Sequence, residues 1–345
     1  MKAAVFRGLG QPLSIETLDR PQIGDGEVLL KVAYCGICGS DLHATAEGVF
    51  VVPDGTVLGH EFSGEVIETG DAAWSKGDRL TAVPVNACAD ETCQALGKCK
   101  NDLGILCPNN RITGLAGDVP GAYAEYVKVG ARQALKLPDG VSYEEGALVE
   151  PLSVGLHAVR KAKLEVGARV LILGAGPIGL SVAAFARLAG ARDVVVSEFN
   201  ATRRDKAKAM GATAVIDPAA ENVGETFAGI AGAPPDVIFE CVGVKGLIQQ
   251  CIDLSRPRGK IVVVGVLMME DAIVPISAIL KEIDIQFVLG YIDEEFEIVL
   301  DALAKKTVNA TPMISDIVGL DQLPATFEAL RRPKSQIKVL IRPGT

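Results

Sequence analysis

Aromatic and basic side chains are scarce in this chain of 345 residues. It has one Trp, five Tyr and ten Phe, and 34 Lys plus Arg against 43 Asp plus Glu, a formal charge of −9. Such a surface offers nucleic acid few phosphate contacts and few stacking platforms, which excludes it as an expected partner. Also missing are a basic-then-apolar leader near the start and any charge-free apolar run of about 18 residues, the length that spans a bilayer. A cytoplasmic chain with no membrane partner is therefore expected. Eight cysteines are too few for a secreted disulfide scaffold, and clustered thiols in a reducing compartment more often hold metal. What the chain has in quantity is apolar: 49% hydrophobic against 22% charged residues, ordinary values for a globular fold. At about 150 residues per domain, the length predicts two cores.

The two halves carry different periodicities. Up to about residue 150 the pattern is of short strands broken by Gly, Pro and Asp, as in 27–33, 57–69 and 123–129, which predicts a β-rich unit. From Ala168 onward, apolar runs of five or six residues alternate with helical stretches: 169–173, 193–197, 236–240, 260–264 and 285–289. Strands that are apolar throughout and alternate with helices predict a doubly wound parallel sheet, hence an α/β chain. Ala201–Met210 predicts a helix capped by Gly211. After the helix at 294–305, the strand at 336–341 has no place in the βα series and is assigned back to the first domain.

The first of the parallel strands runs directly into Gly174-Ala175-Gly176-Pro177-Ile178-Gly179 and then an apolar helix. In a GxGxxG turn the first glycine permits the tight bend, the second lets a pyrophosphate approach the backbone, and the third lets helix and strand pack closely. Glu198 lies nineteen residues beyond Gly179 at the end of the next strand, where a carboxylate accepts both ribose hydroxyls and repels a 2′-phosphate. NAD is expected, with Arg203 and Arg204 nearby keeping NADP open. Cys241, Val264, Gly265 and Val266 end later strands, and Gly290 follows the last one. They are candidate cofactor contacts because ligands collect at this edge of open α/β sheets.

Metal-ligating residue types concentrate in three stretches. Cys38-Gly39-Ser40-Asp41-Leu42-His43 is followed about twenty residues later by His60-Glu61, and Glu150 sits in an apolar context in Val149-Glu150-Pro151. Thiolate, imidazole and carboxylate are all zinc ligands, and a catalytic zinc takes three from the protein and leaves one position open. Cys38 and His60 supply two, and Glu150, whose charge would be costly if buried unpaired, is the candidate third. Cys35 is read as a small buried hydrophobe. A second group, Cys88, Cys93, Cys99 and Cys107, suggests a closed structural zinc.

These residues make the sequence recognisable. Cys38-Gly39-Ser40-Asp41, Gly59-His60-Glu61, Glu150-Pro151-Leu152-Ser153-Val154-Gly155-Leu156-His157 and the glycine turn resemble the zinc-containing medium-chain dehydrogenase/reductase family along essentially the whole chain. The similarity is greatest to the polyol, 2,3-butanediol and threonine dehydrogenase branch. It implies a β-rich GroES-like catalytic domain over 1–152, completed by 293–345, and a Rossmann NAD-binding domain over 153–292. It also implies that Cys38, His60 and Glu150 bind catalytic zinc, with Glu61 either coordinating directly or standing just behind. Asp41 would orient the metal shell, and Ser40 and His43 would pass a proton outward. The 88–107 lobe departs from its relatives: its intervals of four, five and seven residues replace two, two and seven. Relatives form dimers or tetramers, and 260–274 is expected to extend a sheet between copies.

The implied reaction is hydride transfer between a small alcohol and NAD, giving a ketone or aldehyde. The loop 44–52 reads Ala-Thr-Ala-Glu-Gly-Val-Phe-Val-Val, which predicts a dry pocket if it faces the substrate. Secondary alcohols, vicinal diols and cyclic alcohols are thus expected ahead of sorbitol-like sugar alcohols or L-threonine. Two alternatives stand beside this reading. One is a metal-free reductase of the same fold, and the other is a nucleotide-binding, zinc/thiol redox-sensing or structural protein built around the 88–107 thiols.

Overall fold

Strand β3 (Glu27–Gly36) shows why the first half of the chain folds as it does. Val28, Leu29 and Leu30 are all fully buried, so the strand needs cover on both faces and partners on both edges. One edge pairs along its length with β4 (Glu61–Thr69), and the other is shared by β8 (Tyr126–Gly130) over residues 27–31 and β17 (Lys338–Arg342) over residues 35–36. The computed structural model describes residues 1–48, 50–86, 104–107, 109–332 and 334–344. Their sheets include a seven-stranded one of order β16-β17-β3-β4-β5-β9 with β8 on β3, where β5 is Arg79–Ala82, β9 is Ala134–Lys136 and β16 is Ile314–Gly319. Helix α1 (Gly39–Ala44) follows β3 directly, and α2 (Tyr143–Ala147) precedes α3 (Val149–Ala162).

The chain divides into two compact units. The first is Met1–Glu150 with Ile292–Lys305 and Ile314–Thr345; the second is Pro151–Tyr291 with Lys306–Met313. The tail expected wholly in the first unit is thus interrupted. Lys306–Met313 clusters with the second unit, and only the parts on either side return to the first.

In the second unit, β10 (Arg169–Leu173), β11 (Asp193–Ser197), β13 (Val237–Glu240) and β14 (Lys260–Val263) are short Val/Ile/Leu-rich strands buried on both faces. That composition suits a parallel sheet covered by helices. The edge strands β12 (Ala214–Ile216) and β15 (Asp284–Phe287) are less buried. All six pair in parallel, in the order β12-β11-β10-β13-β14-β15. The chain therefore reverses direction across the sheet between β10 and β13, the position at which open α/β sheets receive ligands. Register aligns Leu173 with Ser197 and Glu240, and Glu240 with Val263, so the loops after these strands gather at one edge. Helix α4 (Pro177–Leu188) leaves the β10 turn with Pro177 in its first turn. Gly211, at φ +106°, follows the helix Ala201–Ala209 in the left-handed conformation expected of a cap.

Candidate active site

Two chain segments bring ligand atoms together in the first unit. Cys38 precedes α1 in an extended conformation, His60 precedes β4, and Glu61 opens β4 opposite Gly36 at the end of β3. One ligand atom from each of Cys38, His60 and Glu61 lies within 4.8 Å of the others. His60 and Glu61 are buried and Cys38 is half-buried. The local sequence makes room for this: a Cβ on Gly36 would sit 2.0 Å from Glu61 Oε2, and Gly59, at φ +99°, turns the backbone into His60.

His60 is oriented from behind. Its Nδ1 faces Asp41 Oδ1 at 3.3 Å; both atoms are buried and neither has a hydrogen-bond partner among the described residues, so this close approach is the one polar contact the geometry offers them. Asp41 Oδ2 accepts from the Tyr123 hydroxyl at 2.6 Å and from the Cys38 backbone N at 3.1 Å. With Nδ1 turned to the carboxylate, Nε2 is left on the other side, 3.3 Å from Ser40 Oγ. This is the arrangement in which a carboxylate sets the tautomer of a metal-binding histidine. Burial opposes a charge on His60, yet Asp41 and then Cys38 raise the imidazole well above its ordinary value. For Asp41, burial is outweighed by His60, and the carboxyl is held below its usual range. Surroundings that favour positive charge on an imidazole also favour a cation bound to it, and the donor set of thiolate, imidazole and carboxylate fits zinc.

Glu61 is constrained as well. Lys338, fully buried on β17, donates to both Glu61 oxygens at 2.6 Å and to the Ile37 carbonyl at 2.9 Å. It thereby joins the segments that carry Cys38 and His60. Burial opposes the ammonium charge, but Glu61, Cys38 and Glu150 keep it above the usual lysine value.

Glu150, the anticipated third ligand, is buried in the first turn of α3 and acts on Lys338; the grouping within 4.8 Å has Glu61 as its carboxylate. Glu61 follows His60 directly and reaches across the side-chain-free Gly36. His43 is exposed on α1, three residues from Ser40. Cys35 is fully buried with its thiol raised by burial. Cys88, Cys93 and Cys99 lie outside the described residues; Cys107 is buried after the turn Gly104–Leu106. In the loop 44–52, Ala44, Thr45 and Val52 are buried, with Ala44 and Val52 in the core cluster, while Phe50 and Val51 are exposed.

The glycine turn in the second unit fits a dinucleotide on steric grounds. A Cβ on Gly179 would lie 2.0 Å from the Gly174 carbonyl, and one on Gly174, at φ +96°, would lie 2.6 Å from Val242 Cγ2. At Gly176 a Cβ would meet no protein atom, so packing gives no reason for glycine there, whereas close approach of a pyrophosphate does. Pro177 and Ile178 carry the turn into α4. Glu198 accepts from Ala175 N through Oε2 and from Asn200 N through Oε1, both at 2.9 Å, which anchors its carboxylate beside the turn. Arg203 N caps onto Asn200. The Arg204 guanidinium is engaged by the carbonyls of Glu198 and Phe199 and by Asp217 at 2.9 Å.

Cys241, Val264, Gly265 and Val266 lie at the same sheet edge, and Gly290, at φ +60°, follows β15. The loops interlock around Glu240, a residue that motif reading passes over. Its Oε1 accepts from Val242 N and Gly243 N, and a Cβ on Gly265 would lie 2.6 Å from its Oε2.

Tyr123 and Lys338 were equally unmarked. Tyr123 reads as one more residue of a β-run. Lys338 carried a faint signal, a lone charge in the otherwise apolar run Ile337–Ile341.

Comparison with known proteins covers both units. Residues 24–139 match the alcohol dehydrogenase GroES-like domain and residues 177–305 match the zinc-binding dehydrogenase family. The chain is 35% identical to the (R,R)-butanediol dehydrogenase of Bacillus subtilis (strain 168) over the full length of both. To the sorbitol dehydrogenase of Gallus gallus it is 36% identical, over 96% of this chain and 93% of that one. A solved putative zinc-binding dehydrogenase from Sinorhizobium meliloti 1021, bound to NADP, superposes with a TM-score of 0.89 at 34% identity over 99% of each chain.

Proposed function

Because the chain belongs to the zinc-containing medium-chain dehydrogenase/reductase family, we propose that this dehydrogenase oxidises the secondary carbinol of a small vicinal diol or related alcohol to the ketone, with NAD as hydride acceptor. The observation that carries the reading is the buried grouping of Cys38, His60 and Glu61 with Asp41 behind the imidazole. Cys38 and His60 would hold zinc, with a carboxylate from Glu61 or Glu150. Zinc there supplies Lewis acidity, lowering the pKa of an alcohol oxygen.

The remaining steps belong to side chains. Asp41 keeps His60 oriented, Lys338 holds Glu61, and Ser40 sits where its hydroxyl can take up the alcohol proton. His43, three residues on along the same face of α1 and exposed, can hand that proton to water. The anchored Glu198 carboxylate favours ribose hydroxyls over a 2′-phosphate, and Arg204 is already engaged. Both points support NAD, although the S. meliloti relative holds NADP.

Sugar alcohols remain a second reading because sorbitol dehydrogenases are similar over nearly the whole chain. The same proposal includes self-association through β15. The expected segment, 260–274, begins with β14, which is paired on both sides, so the free edge is β15.

Steady-state rates with 2,3-butanediol, sorbitol, cyclohexanol and L-threonine, each with NAD and with NADP, test the reading when run beside metal analysis. Zinc in the protein and fastest NADH formation with a vicinal diol are expected. Absence of alcohol-dependent reduction by fully metallated protein rules the activity out, and a preference for sorbitol moves the substrate class to polyols.

A further inference from the structure

The buried phenol of Tyr123 touches the Asp41 carboxylate behind His60 and has no part in the proposed reaction. Tyr123 is fully buried, and its hydroxyl lies 2.6 Å from Asp41 Oδ2. A phenol protonated at neutral pH can only donate to a carboxylate, so the direction of the bond is fixed. That bond and the Cys38 N–H occupy Oδ2, which leaves Oδ1 to face His60 Nδ1.

The ring itself is held at three places. Its backbone N donates to the Leu58 carbonyl, its own carbonyl accepts from Ala4 N, and the ring meets Phe327 edge-on at 6.4 Å between centroids. It also lies directly on the backbone that leads into His60, since a Cβ on Gly59 would come within 2.5 Å of Tyr123 Cδ1. One side chain therefore fixes both the carboxylate behind the imidazole and the turn that delivers the imidazole.

We infer that Tyr123 is a positioning residue for the metal centre, acting through Asp41 to hold His60 with its Nδ1 toward the carboxylate and its Nε2 left on the side of Ser40. The inference rests on the zinc reading above and extends it to a residue that touches no ligand atom. Losing the hydroxyl frees Asp41 Oδ2 to rotate, which weakens the hold on the His60 tautomer and so on the cation. Partners of metal-binding histidines change metal affinity about 10- to 100-fold when altered. Tyr123 stands one bond further out, so the lower end applies.

The test compares zinc-loaded wild type with Tyr123→Phe, which keeps the ring and removes only the hydroxyl. Because the chain has three histidines, 15N-histidine labelling gives few enough signals to assign His60 once the exposed His43 is replaced. Expected for Y123F are metal release to a chelator about tenfold faster and an upfield shift of the His60 Nδ1–H. In cobalt-substituted protein the thiolate-to-metal absorption should also change. Release rate and Nδ1–H shift identical to wild type overturn the inference, because a purely packing role survives in phenylalanine.

If Y123F fails to fold, Asp41→Asn carries the same test. Zinc release faster than wild type in D41N supports action through Asp41, and a release rate identical to wild type overturns the inference. Wild-type protein that binds no zinc at all overturns the zinc reading and this inference together. Zinc-binding wild type with an indifferent Y123F overturns this inference alone.

Discussion

Lys338 is a lysine in a position that ordinarily excludes charge, and its location decides what its removal does. Both Glu61 oxygens and the Ile37 carbonyl depend on its ammonium. Replacing one member of a buried ion pair leaves the other charged and desolvated, which costs about 3–5 kcal/mol, whereas replacing both can be nearly neutral. Lys338→Met is expected to lower the unfolding temperature of zinc-free protein sharply, and the K338M/E61Q double variant to recover most of it. Calorimetry of the three proteins checks this, and a double variant as unstable as K338M would mean that the lysine matters through Ile37 rather than through Glu61. At this scale the sequence was legible in part. Cys38 and His60 stand in motifs dense with ligand types, but Tyr123 and Lys338 lie 82 and 277 residues from the carboxylates they hold, Asp41 and Glu61, and nothing local marks either as the partner of a distant carboxylate.

At the scale of elements, the turn from β10 into α4 works as a unit with the end of β11. Glu198 accepts from Ala175 N inside the glycine turn and from Asn200 N after β11, so the acid proposed to read the ribose also ties the two loops together. Glu198→Gln keeps the shape and one acceptor but removes the charge. The variant is expected to raise KM for NAD about tenfold, equivalent to about 1.4 kcal/mol, to leave kcat nearly unchanged and to narrow the difference between NAD and NADP. Steady-state kinetics with both cofactors would show it; an unchanged NAD/NADP ratio would remove Glu198 from cofactor choice. This element was the most legible part of the chain, because strand, turn, helix and acid follow one another in sequence and Gly174 and Gly179 answer local steric demands. Even so, Glu240 escaped notice, since its role is to cap loops that only the parallel register brings side by side.

For the whole molecule, the second unit ends its sheet at β15, an edge strand with Phe287 exposed, near Ile276, Ile279 and Leu280 in sequence, which are also more than half exposed. Exposed apolar groups beside an unpaired strand edge favour pairing with another copy. Phe287→Glu is expected to shift the protein from dimer or larger to monomer in sedimentation velocity, while its near-UV circular dichroism stays that of folded protein. Wild type sedimenting as a monomer would sink the proposed edge pairing. Among the described residues, no helix is long and apolar enough to cross a membrane.

The sequence alone determined the order of elements and the local chemistry: a β-rich half, a parallel-sheet half, a glycine turn with its acid, and ligand types gathered near residues 38 and 60. These follow from periodicity, spacing and backbone sterics, which act over a few residues and can be read in a line. Tertiary structure alone brought Cys38 to His60 and Glu61, because β3 and β4 pair with Gly36 opposite Glu61. It also decided that a tyrosine from the turn before β8 and a lysine on β17 stand behind the cluster, and that β15 rather than β14 is the edge on that side of the sheet. Those outcomes depend on register and on the burial of charge, and both exist only once the strands have met.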